Sequence, residues 1–341
     1  MSVTEKRLTH ASSGPEAALE SLRVLAAAAV VCVHVAATAL IAAPDAVSWW
    51  SANLWDSFAH GCVPVFVMLS GALLLGRREP APHFWRKRAA RLVWPLVGWS
   101  LIYLGLQAWQ AAHWSLPGLL ALLVRGTPYY HLWYLWMLPG LYLTTPALRL
   151  CVARCSRRQL WWLCAGLSVL AALEVPLGWS KQFFLSSSLA YLGCYLLGWL
   201  LFTQPTQPPV RWLWAGFLLA GAGVAVGAGL LRPLLGAQAI EWMYAYPNPL
   251  VLGMGACAFM LGLRLLPGKA WAGWLAQFAP LSFGIYLVHP LCLLGLSKAG
   301  LTALHWHPAL GIPLLSGLVL LLSAAGVALL ARLPGMWRLV R

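Results

Sequence analysis

Charged residues are scarce in this chain. Asp, Glu, Lys and Arg together make up 9% of its 341 residues, whereas 61% of the residues are hydrophobic. An ordinary soluble domain carries about a quarter charged residues, so the composition argues against that class of protein. No polar stretch is long enough to form a separate soluble domain. The sequence therefore predicts an integral membrane protein.

Acidic residues and paired cysteines are also lacking. The eight Asp and Glu leave a formal net charge of +15, which in a soluble protein would favour nucleic-acid binding. The eight cysteines form no CxxC pair and no Cys/His spacing typical of a metal site. We predict no metal, no disulfide framework and no nucleic-acid partner, since membrane topology accounts for the basic residues.

Apolar runs of about 20 residues recur along the chain, which is the length a helix needs to cross a bilayer. We predict an all-α, polytopic membrane helix bundle of about ten transmembrane helices, in contact with the lipid bilayer. Residues 1–18 form a polar tail, 19–333 the membrane domain and 334–341 a basic tail. The predicted spans are about 22–43, 57–76, 90–112, 130–148, 160–178, 186–203, 210–231, 247–266, 278–298 and 309–331.

The basic residues are distributed asymmetrically between the loops. In this topology, only Arg125, Lys181, Arg232 and Lys298 of the 23 Lys and Arg lie opposite the termini. Loops rich in Lys and Arg remain in the cytoplasm. Both termini are therefore predicted to be cytoplasmic.

The first span, "LESLRVLAAAAVVCVHVAATAL", contains Arg23 and His34. Their spacing of eleven residues places them on one helix face, about 16 Å apart along the axis. Arg23 could extend to the inner interface or pair with Glu20, and His34 could simply donate to a neighbouring helix. Because polar groups at mid-membrane depth usually mark a site, we favour a functional His34, as a base or proton carrier.

Arg88 and Arg91 lie at the start of the third span, after the loop "RREPAPHFWRKRAARLVWP". Their i,i+3 spacing places two guanidinium groups on one face, where they could bind phosphate. From spacing alone, ordinary topological charge is the favoured explanation of such a pair.

Polar and aromatic side chains open two further spans. Asp56 and His60 in "WDSFAH" are one helical turn apart, and "HLWYLW" brings together His131, Trp133 and Tyr134. Both groups are predicted at the surface opposite the termini. Hydrogen-bonding groups beside aromatic rings suit a sugar, although aromatic residues are expected at any membrane interface.

Two more polar residues and one small pair stand out. Glu174 could line an outward cavity or lie at the interface, and His289 could bind the carbonyl freed by Pro290 or join a site. Ser70-Gly71 in "VFVMLSGALL" favours close helix packing.

Taken together, these segments resemble the acyltransferase-3 family of multi-pass membrane proteins. The resemblance covers nearly the whole chain. The matching features are the Arg23/His34 pattern, "FVMLSG", "RAAR" followed by "LVWP", "HLWYLWMLPGLYLTTPALR" and "GIYLVHP", in the family's order.

The resemblance implies transfer of an acyl group, usually acetyl, from cytoplasmic acyl-CoA to a hydroxyl of a carbohydrate or lipid-linked saccharide acceptor. It implies a bacterial cytoplasmic membrane location. His34 is similar to the family's essential histidine, Arg23 to its partner arginine, and Arg88 and Arg91 to the pair associated with acyl-CoA. It leaves open whether His34 is a general base or a transient acyl carrier.

Two other classes of protein remain. In a transporter or flippase for a lipid-linked sugar, His34, Glu174 and His289 would be proton-relay or substrate groups. In a noncatalytic scaffold, no deep polar residue would matter. The Arg23/His34 stripe and the Arg88/Arg91 pair favour a donor that enters from the cytoplasm.

Overall fold

The computed structural model describes residues 15–111, 115–177 and 183–340, and this part of the chain is helical and contains no strand. Most of the predicted N-terminal tail, together with Lys181 and Arg341, lies outside the described residues. The helices are α1 Pro15–Ala42, α2 Ala46–Ala59, α3 Cys62–Leu74, α4 Ala81–Gln110, α5 Leu116–Arg125, α6 Trp133–Arg154, α7 Arg157–Leu177, α8 Phe184–Ser187, α9 Leu192–Phe202, α10 Val210–Leu235, α11 Ala237–Met243, α12 Pro249–Leu265, α13 Ala270–Ala276, α14 Ala279–Lys298, α15 Pro308–Leu330 and α16 Trp337–Val340.

Seven helical stretches within the described ranges are long and apolar enough to cross a membrane. An eighth candidate is the pair α12 and α13, which is bent by 117°. Each of the ten predicted spans overlaps a helix, but α6 and α7 do not meet this test of length and composition. The protein is thus an all-helical membrane protein with seven or eight candidate spans.

Two predicted spans begin earlier than expected. The second starts with α2 at Ala46 instead of at residue 57, and it is interrupted at residues 60–61 before α3. Asp45 caps α2 by accepting from the backbone N–H of Ser48 at 2.8 Å, and this hydrogen bond lowers the pKa of the Asp45 carboxyl. The chain therefore enters the bundle well before the apolar run that the sequence suggested.

The third span begins with α4 at Ala81, so the basic segment that the sequence placed in a loop is helical. Pro82 in the first turn is compatible with a helix start, because its missing N–H has no helical acceptor there. Between Pro82 and Pro95 there is no glycine or proline to interrupt the helix. Arg88 and Arg91 are therefore presented from a regular helix.

Close packing between α3 and α9 depends on glycine. A Cβ at Gly71 would overlap the backbone of Tyr195, and a Cβ at Gly198 would overlap the backbone of Met68. Small residues let membrane helices approach backbone to backbone, so the predicted packing role of Ser70-Gly71 is confirmed at Gly71. This contact holds α3, one wall of the site described below, against the rest of the bundle.

Candidate functional site

A cavity of about 390 Å³ lies among helices α1, α3, α4, α6 and α14. Eight of the residues singled out in the sequence line it: Arg23, His34, Ser70, Arg88, Arg91, His131, Trp133 and Tyr134. The cavity falls within the size range of small-molecule sites. Residues more than 100 positions apart in the chain are thus brought to one place.

The cavity is elongated, with arginines at one end and histidines at the other. On α1, Arg23 and His34 are separated by a helical rise of about 16 Å. On α6, Tyr134 and Tyr142 also line the wall, and Tyr142 interacts electrostatically with Arg23, Arg88 and Arg91. Because α6 runs from the histidine end to the arginine end, it is antiparallel to α1.

Arg88 is held in place by an aromatic ring and not by an acidic partner. Its guanidinium lies 5.3 Å from the centroid of the Phe84 ring, and Arg149 lies 4.5 Å from the same ring. Arg149 is itself fixed by the carbonyl of Leu74 at 3.0 Å and the carboxylate of Glu79 at 3.8 Å. The buried Nε of Arg88 has no hydrogen-bond partner.

The other two arginines of this end are more open. Arg91 is exposed and Arg23 is half-buried. The ion pairs formed within the described ranges do not include one between Arg23 and Glu20. Arg23, Arg88 and Arg91 therefore present positive charge to the cavity, which suits an anionic group.

Three histidines meet at the opposite end. The His34 ring lies 5.1 Å from the His289 ring and nearly parallel to it, and His131 lies 5.4 Å from His289, edge to face. His131 and His289 are buried, whereas His34 is half-buried and lines the cavity. In the part of the chain that the structure describes, the His34 ring contacts other rings and receives no hydrogen bond. Its nitrogens are therefore free to contact a substrate.

His289 both binds a carbonyl and belongs to the histidine cluster. Its Nδ1 lies 3.1 Å from the carbonyl oxygen of Ile285, one residue before the carbonyl that Pro290 leaves unpaired. Donation from Nδ1 leaves Nε2 unprotonated in the neutral ring, and this buried Nε2 has no partner. His289 lies behind His34 and does not line the cavity itself.

Asp56 and His60 form a buried pair. Nδ1 of His60 lies 2.9 Å from the Asp56 carboxylate, and the two residues are only 6% and 2% exposed. The sequence placed them at a membrane surface, but α2 begins so early that they lie in the interior. They do not line the cavity, although the His60 ring stacks on Tyr246, a cavity residue, with 5.0 Å between centroids.

Glu174 is not brought into the site. It is half-buried near the end of α7, where it interacts electrostatically with Tyr191, and the cavity is lined by other residues. The helix α7 packs on α9 and not on α1. Glu174 therefore does not line this cavity.

Several residues of the cavity wall were not predicted from the sequence. Ser70 lies within the quoted "FVMLSG" but was interpreted only as a packing residue, whereas Tyr142, Tyr246, Phe283 and Tyr286 were not singled out. Tyr142 and Tyr286 fall in segments already noted, eight residues after Tyr134 and three before His289. No local signal indicates Tyr246, which is contributed by the connection between α11 and α12.

No group of three or more His, Cys, Asp or Glu in the described ranges is arranged to hold a metal ion. Comparison with curated proteins and with solved structures gave no match. A family model described as an acyltransferase domain matches residues 16–331, which is nearly the whole chain. The chain therefore belongs to the acyltransferase-3 family and is a membrane acyltransferase.

Proposed function

We propose that the protein transfers an acyl group, acetyl in the simplest case, from acyl-CoA to a hydroxyl of a cell-envelope or exported polysaccharide or its lipid-linked precursor. One observation carries this proposal. A single cavity joins three arginines to the otherwise unbonded imidazole of His34.

The arginine end suits the phosphates of coenzyme A. Guanidinium groups bind phosphate through parallel, charge-assisted hydrogen bonds, and three of them meet here without acidic neighbours in the cavity wall. The remaining length to His34 is lined largely by apolar and aromatic residues such as Val33, Phe66 and Leu138. Such a passage fits the thin, uncharged arm that carries the thioester.

His34 is proposed to act as the general base. It takes the proton of the acceptor hydroxyl while the hydroxyl oxygen forms a bond to the thioester carbonyl carbon. The carbon–sulfur bond then breaks, and His34 returns the proton to the leaving thiolate, so that the products are an ester and free CoA. If His34 instead carries the acyl group itself, labelled acyl-enzyme would accumulate in the absence of acceptor.

The membrane topology forms part of the same proposal. We propose ten crossings, with both termini and the arginine end on the cytoplasmic side of a bacterial cytoplasmic membrane, where acyl-CoA is made. The excess of Lys and Arg on that side supports this orientation. His34 is then reached by the donor from the cytoplasm and by the acceptor from the opposite side.

The proposal is tested with His34→Ala, and with His305→Ala as control because His305 is exposed and does not line the cavity. Loss of a general base costs about 100-fold or more in rate. We expect His34→Ala to abolish ester groups on envelope glycans, measured by mass spectrometry, while insertion and folding persist. His305→Ala should retain them.

Near-normal glycan acylation in His34→Ala would contradict the assignment. A transporter or flippase makes a different prediction for the purified protein. With acetyl-CoA and isolated envelope glycan, it would release no CoA, whereas an acyltransferase releases CoA only when an acceptor is supplied.

A further inference from the structure

Tyr130 lies beside the histidine end of the cavity, against His34, but differs from its neighbours in exposure. It belongs to residues 126–132, which connect α5 to α6. Tyr129 packs its ring 4.4 Å from that of Tyr103, and His131 is buried. Between them, Tyr130 is 49% exposed. Its ring nevertheless lies edge-on against His34, with 4.9 Å between centroids.

The backbone around Tyr130 is fixed by contacts on both sides. The side-chain amide of Gln107 donates to the carbonyl of Pro128 at 2.5 Å, and the hydroxyl of Tyr286 donates to the carbonyl of His131 at 2.7 Å. Gly126 has φ of 71°, a conformation that favours glycine. A Cβ there would also lie 2.9 Å from Cβ of Trp136. The position of Tyr130 is thus set by packing.

Tyr130 lies on the side of His34 opposite the arginines. It precedes α6 by three residues, and α6 runs from this end of the cavity toward Tyr142, which is near the arginines. The arginines therefore lie on one side of His34, and the exposed ring of Tyr130 lies on the other. A donor and an acceptor can approach the imidazole from opposite directions.

We infer that Tyr130 is the acceptor-side specificity residue: an acceptor sugar packs on its exposed ring to reach His34, and the ring otherwise keeps water away from His34. This inference rests on the proposed function. A tyrosine ring offers an apolar face with a polar tip, which suits the C–H face and hydroxyls of a sugar. Water has no C–H surface that could pack on the apolar face of the ring.

The thioester can react in two ways, with a sugar hydroxyl or with water. With a sugar hydroxyl, the carbonyl carbon exchanges its bond to sulfur for a bond to the sugar oxygen, and CoA leaves as the thiol. With water, the oxygen of water takes that place, and the products are a free carboxylic acid and CoA thiol. An acyltransferase has to suppress the second reaction, which closed sites do by excluding water.

The experiment measures release of CoA thiol from acetyl-CoA by purified protein in the absence of acceptor. We expect Tyr130→Ala to raise this hydrolysis by about five-fold or more, and Tyr130→Phe to stay near wild type because it keeps the ring. Trp109→Ala is the matched control. Trp109 is 73% exposed at the same end of the bundle and does not contact His34. In cells, Tyr130→Ala should lower glycan acylation.

Two outcomes separate this inference from the proposed function. Wild-type hydrolysis in folded Tyr130→Ala, together with loss of glycan acylation in His34→Ala, overturns only the role of Tyr130. Full hydrolysis in the double variant Tyr130→Ala/His34→Ala shows instead that His34 is not the base, and then both fail. Loss of the extra hydrolysis in the double variant supports both.

Discussion

Arg88 and Arg86 are two residues apart on α4, yet only Arg88 lines the cavity. Arg86 is exposed, whereas Arg88 has a buried Nε and lies over Phe84. The two side chains therefore form a matched pair, in which Arg88 faces the cavity and Arg86 carries the same charge outside it. The sequence indicated Arg88 by its spacing from Arg91, and the helical start of α4 explains why that spacing places both on the cavity.

We expect Arg88→Gln to weaken CoA binding by about ten-fold or more, since a hydrogen bond to a charged group contributes about 1.5–3 kcal/mol. Arg86→Gln, the matched control, should bind CoA as the wild type does. Isothermal titration of the purified protein with CoA measures both. Equal affinities in the two variants would remove Arg88 from the donor site.

Some residues of the cavity can be recognised from the sequence one at a time, and others cannot. His34, His131 and His289 attract notice because polar side chains are rare in apolar segments. Tyr246 does not, and Ser70 was noted only for helix packing, because an aromatic or small residue in a membrane helix or loop has an ordinary packing explanation. Their place in the cavity depends on neighbours that are remote in the sequence.

At the scale of elements, α3 and α9 pack backbone to backbone. Gly71 and Gly198 each face the backbone of the other helix, so that neither can carry a side chain without moving a helix. Because α3 also contributes Phe66 and Ser70 to the cavity, a shift of this helix would alter the site.

Gly71→Ala should therefore destabilise the protein, by about 1–3 kcal/mol or more, as overpacking does in well-packed interiors. Gly105→Ala on α4 is the control, because a Cβ there meets no atom within 4 Å and alanine favours helix. The two variants are compared by thermal unfolding in detergent, with size-exclusion chromatography used to measure the folded fraction after heating. If Gly71→Ala unfolds at the wild-type temperature, the close contact is not as tight as the geometry indicates.

For the whole molecule, the connection between α6 and α7 distinguishes the possible topologies. Cys155 lies in this connection and is exposed. If α6 and α7 both cross the membrane, Cys155 faces the cytoplasm. If neither crosses, the connection stays on the opposite side, where α4 ends.

We expect a membrane-impermeant maleimide to leave Cys155 unmodified in intact cells and to modify it after permeabilisation, since ten crossings keep the Arg-rich connection inside. The labelling that is lost in the variant Cys155→Ser is the labelling of this residue. Labelling of Cys155 in intact cells would exclude the ten-span arrangement.

Hydropathy, charge distribution and the rarity of polar residues in apolar runs were sufficient to predict an all-helical membrane protein and the residues of interest. These are local properties, because a span has to be apolar along its own length whatever it packs against. The start of α2 at Ala46 and of α4 at Ala81 were missed, since polar residues within a helix look like a loop when only hydropathy is considered.

Only the tertiary structure decided which polar residues share a site. It joined His34 of α1, His289 of α14 and His131 of the connection between α5 and α6. It also buried Asp56 beside His60, kept Glu174 away from the cavity and set Tyr130 against His34. Side-chain periodicity shows which face of a helix a residue occupies but not which helix that face meets. The meeting of faces is fixed by packing between segments far apart in the chain, such as the glycine contact of α3 with α9.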